Sequence, residues 1–529
     1  MSSLLPPETL EQVFKDLSYV DLRSCVLVNR AWCASAVRYL WKNPFGFRYS
    51  RHKYDQYIPT AKKRVKMYKD SKISLAQTYI WCLNDKSKRI IMDVGVVLPN
   101  FMIENRPTFD YSSTLTTLNH LYLYDTVGWW LSANSSEQND FAHYVIVKEL
   151  YKMFIAQSVK IKFLSFGNID SIQLQLRKNE IKSDILPILC YLPGAEQFFA
   201  RIEKFSSDVD IPSEIWYELA QIATNIKDLE ITDHNKHKEG LPSFIQAQNN
   251  LRKLKIVLKG HPKWSPLVHR AVKAKASSLT HLTIIDHHDF IRTYQFSLNW
   301  IAECTNLEEF KLCISNSFSP SSLDLGSLAS FPFLTKLELV LSCLSNTHIK
   351  MIRKTDGQLK SLCLLWKTCE GEVSIVYDAL FDAIKKTCGN LSEIELTIPE
   401  EKFLSTVSLL KALNRVEVIK FVQLCSYGQE RILDEINISI LLPTWGRLLP
   451  LNLRKLWFKA NWVFTYDSFR AFLKSVELRL TNRPLNFLFG MKFPGNSHFD
   501  LYQFYVDKGI LDNESFVENG LKWKKLKVI

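Results

Sequence analysis

Residues 251–258 read LRKLKIVL, residues 279–286 read LTHLTIID, residues 307–314 read LEEFKLCI and residues 334–341 read LTKLELVL. Each stretch opens on leucine, carries an apolar residue three places on, and another two places later. Two apolar residues two apart share one face of a strand, and the residue between them points to the other. The leading leucine packs from the entering loop. Ile226/Leu229/Ile231, Leu359/Leu362/Leu364, Leu391/Ile394/Leu396, Val416/Ile419/Phe421 and Leu453/Leu456/Phe458 repeat the phrase. With the middle apolar residue as marker, the copies fall at 229, 254, 282, 310, 337, 362, 394, 419 and 456. Recurrence at steps of 25 to 37 residues, most of them 25 to 28, marks a degenerate repeat array. Weaker copies are Leu118/Leu121/Leu123, Lys160 to Phe166, and Trp523/Leu526/Val528.

Between the phrases lie stretches of helical spacing: Leu298, Ile301, Ala302 and Cys304; Leu380, Phe381 and Ile384; Phe469, Phe472, Leu473 and Val476. Each unit is therefore one helix and one short strand, and only stacked units bury their apolar faces. This pattern over residues 111–529 resembles the leucine-rich repeat family in its longer α/β form. The resemblance implies an α/β solenoid with short parallel strands inside the arc and helices outside. One departure concerns the Asn or Cys that usually follows each strand. Those places hold His234, Lys259, His287, Ser315, Ser342, Lys367, Pro399, Leu424 and Asn461, and only the last fits.

The chain has 529 residues, 47% apolar and 23% charged, with a net charge of +13. Such values exclude a wholly disordered, collagen-like or acidic-tail chain. No apolar run approaches the ~20 residues that span a bilayer. The opening MSSLLPPETLEQ has neither a basic region nor a long apolar one, so a secretory signal is not expected. The cytoplasm and/or nucleus is the expected compartment. The eleven cysteines include no CxxC pair and read as small buried hydrophobes, with no disulfide frame, metal or cofactor expected.

Residues 4–45 read LLPPETLEQVFKDLSYVDLRSCVLVNRAWCASAVRYLWKNPF. Pro6 and Pro7 suit a first helical turn, and Leu10, Val13, Phe14 and Leu17 then form one apolar stripe. Asp21 is a plausible N-cap for a second helix carrying Leu22, Cys25 and Val26. A third helix carries Trp32, Ala36 and Leu40, and Asn43-Pro44 ends it. So short a module, without disulfide or metal, needs a partner to bury its apolar surface.

This segment resembles an F-box. Leu5-Pro6 and Glu8 match its opening; Leu10, Val13, Phe14 and Leu17 its first helix; Asp21-Leu22 the second; Val28, Arg30 and Trp32 the V-x-R-x-W stretch; Leu40-Trp41 its close. Asn29 stands where a cysteine is common. The resemblance implies a non-catalytic substrate adaptor of Skp–cullin–F-box ubiquitin ligases. The module, with Leu5, Pro6, Glu8, Leu10, Val13, Phe14, Leu17, Leu22, Val28, Trp32, Leu40 and Trp41, would dock on a Skp-family linker protein. Through the linker it would join a cullin–RING ligase, and the repeats would bind an unknown protein substrate. The alternative is a repeat scaffold binding protein or RNA, with the N-terminal helices as a solenoid cap. The expected domains are 1–45, the F-box; 46–110, a basic connector and solenoid cap; and 111–529, degenerate repeats with a C-terminal cap.

The segment from Lys42 to Lys72 holds much of the excess positive charge, including Lys62-Lys63-Arg64. We read it as a solvated connector; the sharper alternatives are a dock for phosphate or acidic peptide, or a nuclear import signal. Catalytic signatures such as GxxxxGK[ST], GxSxG and HExxH are absent. The polar clusters Asp233-His234 with His237 and Asp286 to Asp289 read as solvated loops, not metal ligands. On the concave face one strand row is mixed and polar: Glu230, Lys255, Thr283, Lys311, Glu338, Cys363, Glu395, Lys420, Trp457. The next row is largely apolar. Its Val257, Ile285, Cys313, Val340, Leu365 and Val422, with Trp457 beyond, are the candidate substrate-binding residues.

Overall fold

The computed structural model describes residues 6–46, 61–134, 139–167, 186–208, 211–233, 240–258, 266–286, 299–314, 330–369, 373–398, 402–422, 436–459, 462–480, 483–489 and 496–512. The chain divides into two compact units, residues 1–251 with 266–272, and residues 252–265 with 273–529. Among the described residues, thirteen strands run parallel in chain order.

The first unit opens with three short helices, α1 (Pro7–Lys15), α2 (Tyr19–Cys25) and α3 (Arg30–Leu40). Their apolar stripes meet in a small core of Leu10, Phe14, Leu22, Cys25 and Ala36. Ser18, not Asp21, is the N-cap of α2: its hydroxyl accepts from the Asp21 N–H. Asp21 sits in the first turn instead, where a carboxylate also suits the helix dipole. Next come α4 (Ala61–Cys82), α5 (Asp85–Asp93), α6 (Asn100–Glu104), α7 (His120–Asn134) and α8 (Asp140–Gln157). Four strands follow the same unit: β1 (Thr117–Asn119), β2 (Phe163–Phe166), β3 (Lys204–Ser207) and β4 (Asp228–Asp233).

The copy read at Leu118/Leu121/Leu123 needs correction. The strand stops at Asn119, whose side chain accepts from the Tyr122 N–H at 3.1 Å and starts α7. Leu121 and Leu123 therefore lie on a helix, and the working phrase there is Leu115/Leu118. The copy at Trp523/Leu526/Val528 lies outside the described residues.

A backbone ladder joins successive units. Lys162 and Phe163 both donate to the Thr116 carbonyl, Glu203 and Lys204 to Lys162, and Lys227 and Asp228 to Glu203. The first rung comes from the helical module: Thr116 and Thr117 donate to the Lys42 carbonyl at 2.8 and 3.3 Å. The neighbouring side chains follow it inward. Trp41 packs on Tyr79 and Tyr111 with ring centroids 5.3 and 4.3 Å apart, and Phe45 stacks on Tyr79 at 5.6 Å. Buried Gln248 adds a side-chain rung, accepting from the Ile226 N–H and donating to the Ala223 and Phe244 carbonyls.

The second unit holds β5 (Lys253–Leu258), β6 (His281–Asp286), β7 (Glu309–Ile314), β8 (Lys336–Leu344), β9 (Ser361–Cys369), β10 (Glu393–Thr397), β11 (Val418–Val422), β12 (Lys455–Lys459) and β13 (Asn486–Phe489). The ladder continues here, from Thr280 and His281 on the Arg252 carbonyl to Arg454 and Lys455 on that of Glu417. The phrase leucines register across strands: Leu254 opposite Leu282, Leu282 opposite Phe310, Phe310 opposite Leu337 and Leu337 opposite Leu362. All are buried, each contributing about 1.5–3 kcal/mol. Two of the three sampled helical stretches form α-helices, Val373–Thr387 and Tyr466–Arg479, and bury the named residues. Of the first, the described part is a 3-10 turn, Asn299–Glu303, with Ile301 and Cys304 buried; Leu298 lies outside the described residues.

A buried histidine makes the first unit sensitive to acid. The His120 Nδ1 lies 3.1 Å from the Tyr151 hydroxyl, and its ring packs beside Phe166 and Tyr124. Burial, and then His143, push its pKa down to about 3. The folded state keeps the ring neutral while the unfolded chain protonates below its ordinary value of about 6.5. Stability from this group is therefore full above that value and falls as pH drops toward 3. By pH 5 the loss is about 2 kcal/mol. Urea unfolding at pH 7 and 5 should show it, and His120→Gln should flatten the pH slope; an unchanged slope in the variant would refute the assignment.

Candidate functional site

Two surfaces merit attention. The first is the outside of the three-helix module. Its sequence candidates divide into two groups. Leu10, Phe14 and Leu22 are buried; Leu17, Trp32 and Leu40 pack partly against them. Phe14 meets Trp32 edge-on at 5.4 Å, and the Tyr39 hydroxyl donates to the Glu11 carbonyl at 3.0 Å. Trp41 turns toward the repeats, as described above. Pro6, Glu8, Val13 and Val28 are exposed. Leu5 lies outside the described residues.

The sequence reading missed the rest of this face. Leu27 is 84% exposed beside Val28 at 57%, and Val20 and Tyr19 are also exposed. They come from α2 and the turn after it, so α1 and α2 both present apolar side chains to solvent. Asn29, where the motif commonly has cysteine, accepts from the Trp32 N–H at 2.9 Å and caps α3. The departure thus keeps the turn that displays Leu27 and Val28. The signal available in the sequence was the apolar run V-L-V before this cap, longer than the core needs.

The second surface is the open face of the sheet in the second unit. Cross-strand register lines up Lys255, Thr283, Lys311, Glu338, Cys363, Glu395, Lys420 and Trp457 as one continuous row. Its charges pair along the row. Lys311 bonds Glu338, and Lys420 lies 2.6 Å from Glu393 and 3.4 Å from Glu395. Burial alone would lower the pKa of each lysine, but these glutamates raise both. Cys363 sits between Glu338 and Glu395; burial, then these carboxylates, push its thiol up. Burial likewise pushes Cys313 up to about 11. Protonated thiols are poor nucleophiles.

The neighbouring row also registers: Val257 opposite Ile285, Ile285 opposite Cys313, Cys313 opposite Val340, Val340 opposite Leu365. Ile285, Cys313, Val340 and Leu365 are half-buried. Val257 and Val422 are buried, so the solvent-reachable part of the stripe is its middle. Trp457 is half-buried under the Lys455 ammonium, 5.3 Å from its ring centre.

The basic segment divides as well. From residue 61 it is helix α4. Lys72, counted in its charge, is buried in an ion pair with Asp125 of α7 rather than solvated. Lys62, Lys63 and Arg64 have no described side-chain surroundings. His234, His237 and His287 to Asp289 lie outside the described residues. Among the described residues, no three His, Cys, Asp or Glu side chains group to hold a metal ion, and no helix is long and apolar enough to cross a membrane.

Two solved structures that the chain matches in a structural comparison are a leucine-rich repeat protein of Leptospira interrogans and a leucine-rich repeat-containing protein of Legionella pneumophila. The first is 12% identical with a TM-score of 0.36, over 79% of this chain and 92% of that one. The second is 10% identical with a TM-score of 0.26, over 70% of this chain and 92% of that one. No curated protein matches the chain in sequence. Residues 2–46 match the F-box-like family model, so the chain carries an F-box-like domain ahead of a parallel repeat sheet of leucine-rich pattern.

Proposed function

We propose that this chain is the substrate-recruiting subunit of a Skp–cullin–F-box type ubiquitin ligase, working in the cytoplasm or nucleus. The observation that carries the reading is the F-box-like match over residues 2–46, whose first two helices and the turn after them expose Val13, Val20, Leu27 and Val28. Apolar side chains left in water on so small a module suit a permanent partner. In this role the module docks on a Skp-family linker, and the linker brings a cullin–RING ligase. The repeats hold the target, whose lysines are kept near a ubiquitin-charged enzyme. The chain itself performs no bond chemistry. The Lys42 rung supports the reading, because it fixes the module to the first strand of the repeats.

The test is co-expression of the full chain with a Skp-family linker, followed by size exclusion. Wild type should give a stoichiometric complex. Leu27→Asp with Val28→Asp changes only exposed positions, so the fold should persist by circular dichroism. Two buried-interface apolar anchors replaced by charge should weaken the complex at least ~100-fold. Failure of the wild-type chain to bind any linker would remove the proposal.

A further inference from the structure

The helical module and helices α4 and α7 line a half-open cavity of about 400 Å³, within the range that holds a small organic molecule. Its walls combine two chemistries. Arg23 of α2 and Lys72 of α4 supply two cations, and no carboxylate is among its lining residues. Trp41 and Leu75 supply apolar surface, and Ser74 is one of several hydroxyls beside them.

Lys72 is the informative residue. It is 5% exposed, bonded to Asp125 and 5.1 Å from the Tyr122 ring centre. Removing such a pair from water is costly, and apolar residues of the same volume would usually hold α4 and α7 together equally well. A buried ion pair set at a cavity wall therefore points to a polar task. Arg23 is exposed and, among the described residues, has no ion-pair partner. The Arg23 guanidinium supplies the unmatched positive charge, and the hydroxyls, with the remaining N–H donors of the Asp125-bound Lys72 ammonium, complete a donor set suited to the oxygens of a phosphate group.

We propose that this cavity binds a small organic phosphate, its phosphate group toward Arg23 and Lys72 and a flat apolar body against Trp41 and Leu75. Arg23 and Trp41 belong to the helical module, while Lys72 and Leu75 belong to α4. A bound molecule would touch both and add to the stability of the first unit in proportion to its concentration. This inference is independent of linker binding.

The test is thermal melting and calorimetry of the full chain with phenyl phosphate, at constant ionic strength. Phenol is the control for the apolar body alone. Phenyl phosphate at about 10 mM should raise the melting temperature and phenol should not. Arg23→Gln, at an exposed position, should weaken binding roughly tenfold or more. Ser74→Phe, also at an exposed position, should obstruct the cavity and abolish binding. Absence of any shift in the wild type, an equal shift with phenol, or equal shifts in wild type and both variants would each overturn the proposal.

Discussion

Removal of residues 1–45 should unfold much of the first unit rather than release an intact repeat array. The reason lies in what the last five of those residues do. The Lys42 carbonyl is the first rung of the backbone ladder, taking the Thr116 and Thr117 N–H groups. Thr116 Oγ1 donates to the same carbonyl at 2.9 Å. Phe45 is 2% exposed and packs on Tyr79 and Phe154, and Trp41 packs on Tyr79 and Tyr111. Loss of a core aromatic costs about 3–5 kcal/mol, and each stranded backbone group about 1–3. Together these approach the ~5–15 kcal/mol by which a domain is stable. A chain lacking only residues 1–40 keeps Trp41, Lys42 and Phe45, and should remain folded. Urea unfolding of the two truncations distinguishes them; equal midpoints would contradict the structural account. Linker binding is therefore better tested by exposed point changes than by deleting the module.

The same contacts show what the sequence made legible. The leucine phrase is readable because strand geometry forces its core residues to a spacing of two, and Leu337/Leu339, Leu362/Leu364 and Ile394/Leu396 keep that spacing and stay in register across strands. Strand β3 escaped notice because buried Ser206 and Ser207 occupy its end; Ser206 lies 3.2 Å from the Ser165 hydroxyl on the next strand. Strand β13 was hidden because Pro484 stands where the phrase opens on leucine elsewhere. Helix α8 is apolar on nearly all sides, as a helix buried all round must be, so it has little periodicity to read. The Lys72–Asp125 pair joins residues 53 apart, and no local pattern announces it. In the helical module the motif names buried and exposed apolar residues alike. Only packing separates Phe14, which builds the core, from Val13 and Val28, which face water.

Replacing Val340 and Leu365 by aspartate should abolish target capture while leaving linker binding intact. The two residues are directly opposite on β8 and β9 and lie at the middle of the half-buried apolar stripe. Their neighbours in the polar row already pair their charges, Lys311 with Glu338 and Lys420 with Glu393 and Glu395. In the proposed adaptor role, that internal pairing would leave the apolar stripe to make the contact with a target. Two interface anchors are together worth about 4 kcal/mol or more, so capture should fall on the order of 1,000-fold. Like charges opposite each other on neighbouring strands cost only about 0.2–1 kcal/mol, and half-buried positions retain access to water. The sheet should therefore stay folded, which a melting curve checks. The comparison is between proteins retained by wild type and by the double variant, each purified with the linker attached. A variant that holds the linker and the same targets would show that targets bind elsewhere. A variant that loses both would point to a disturbed fold rather than a lost contact. Lys311→Ala serves as the contrasting change. It removes an ion pair without touching the stripe, so capture should fall less than tenfold.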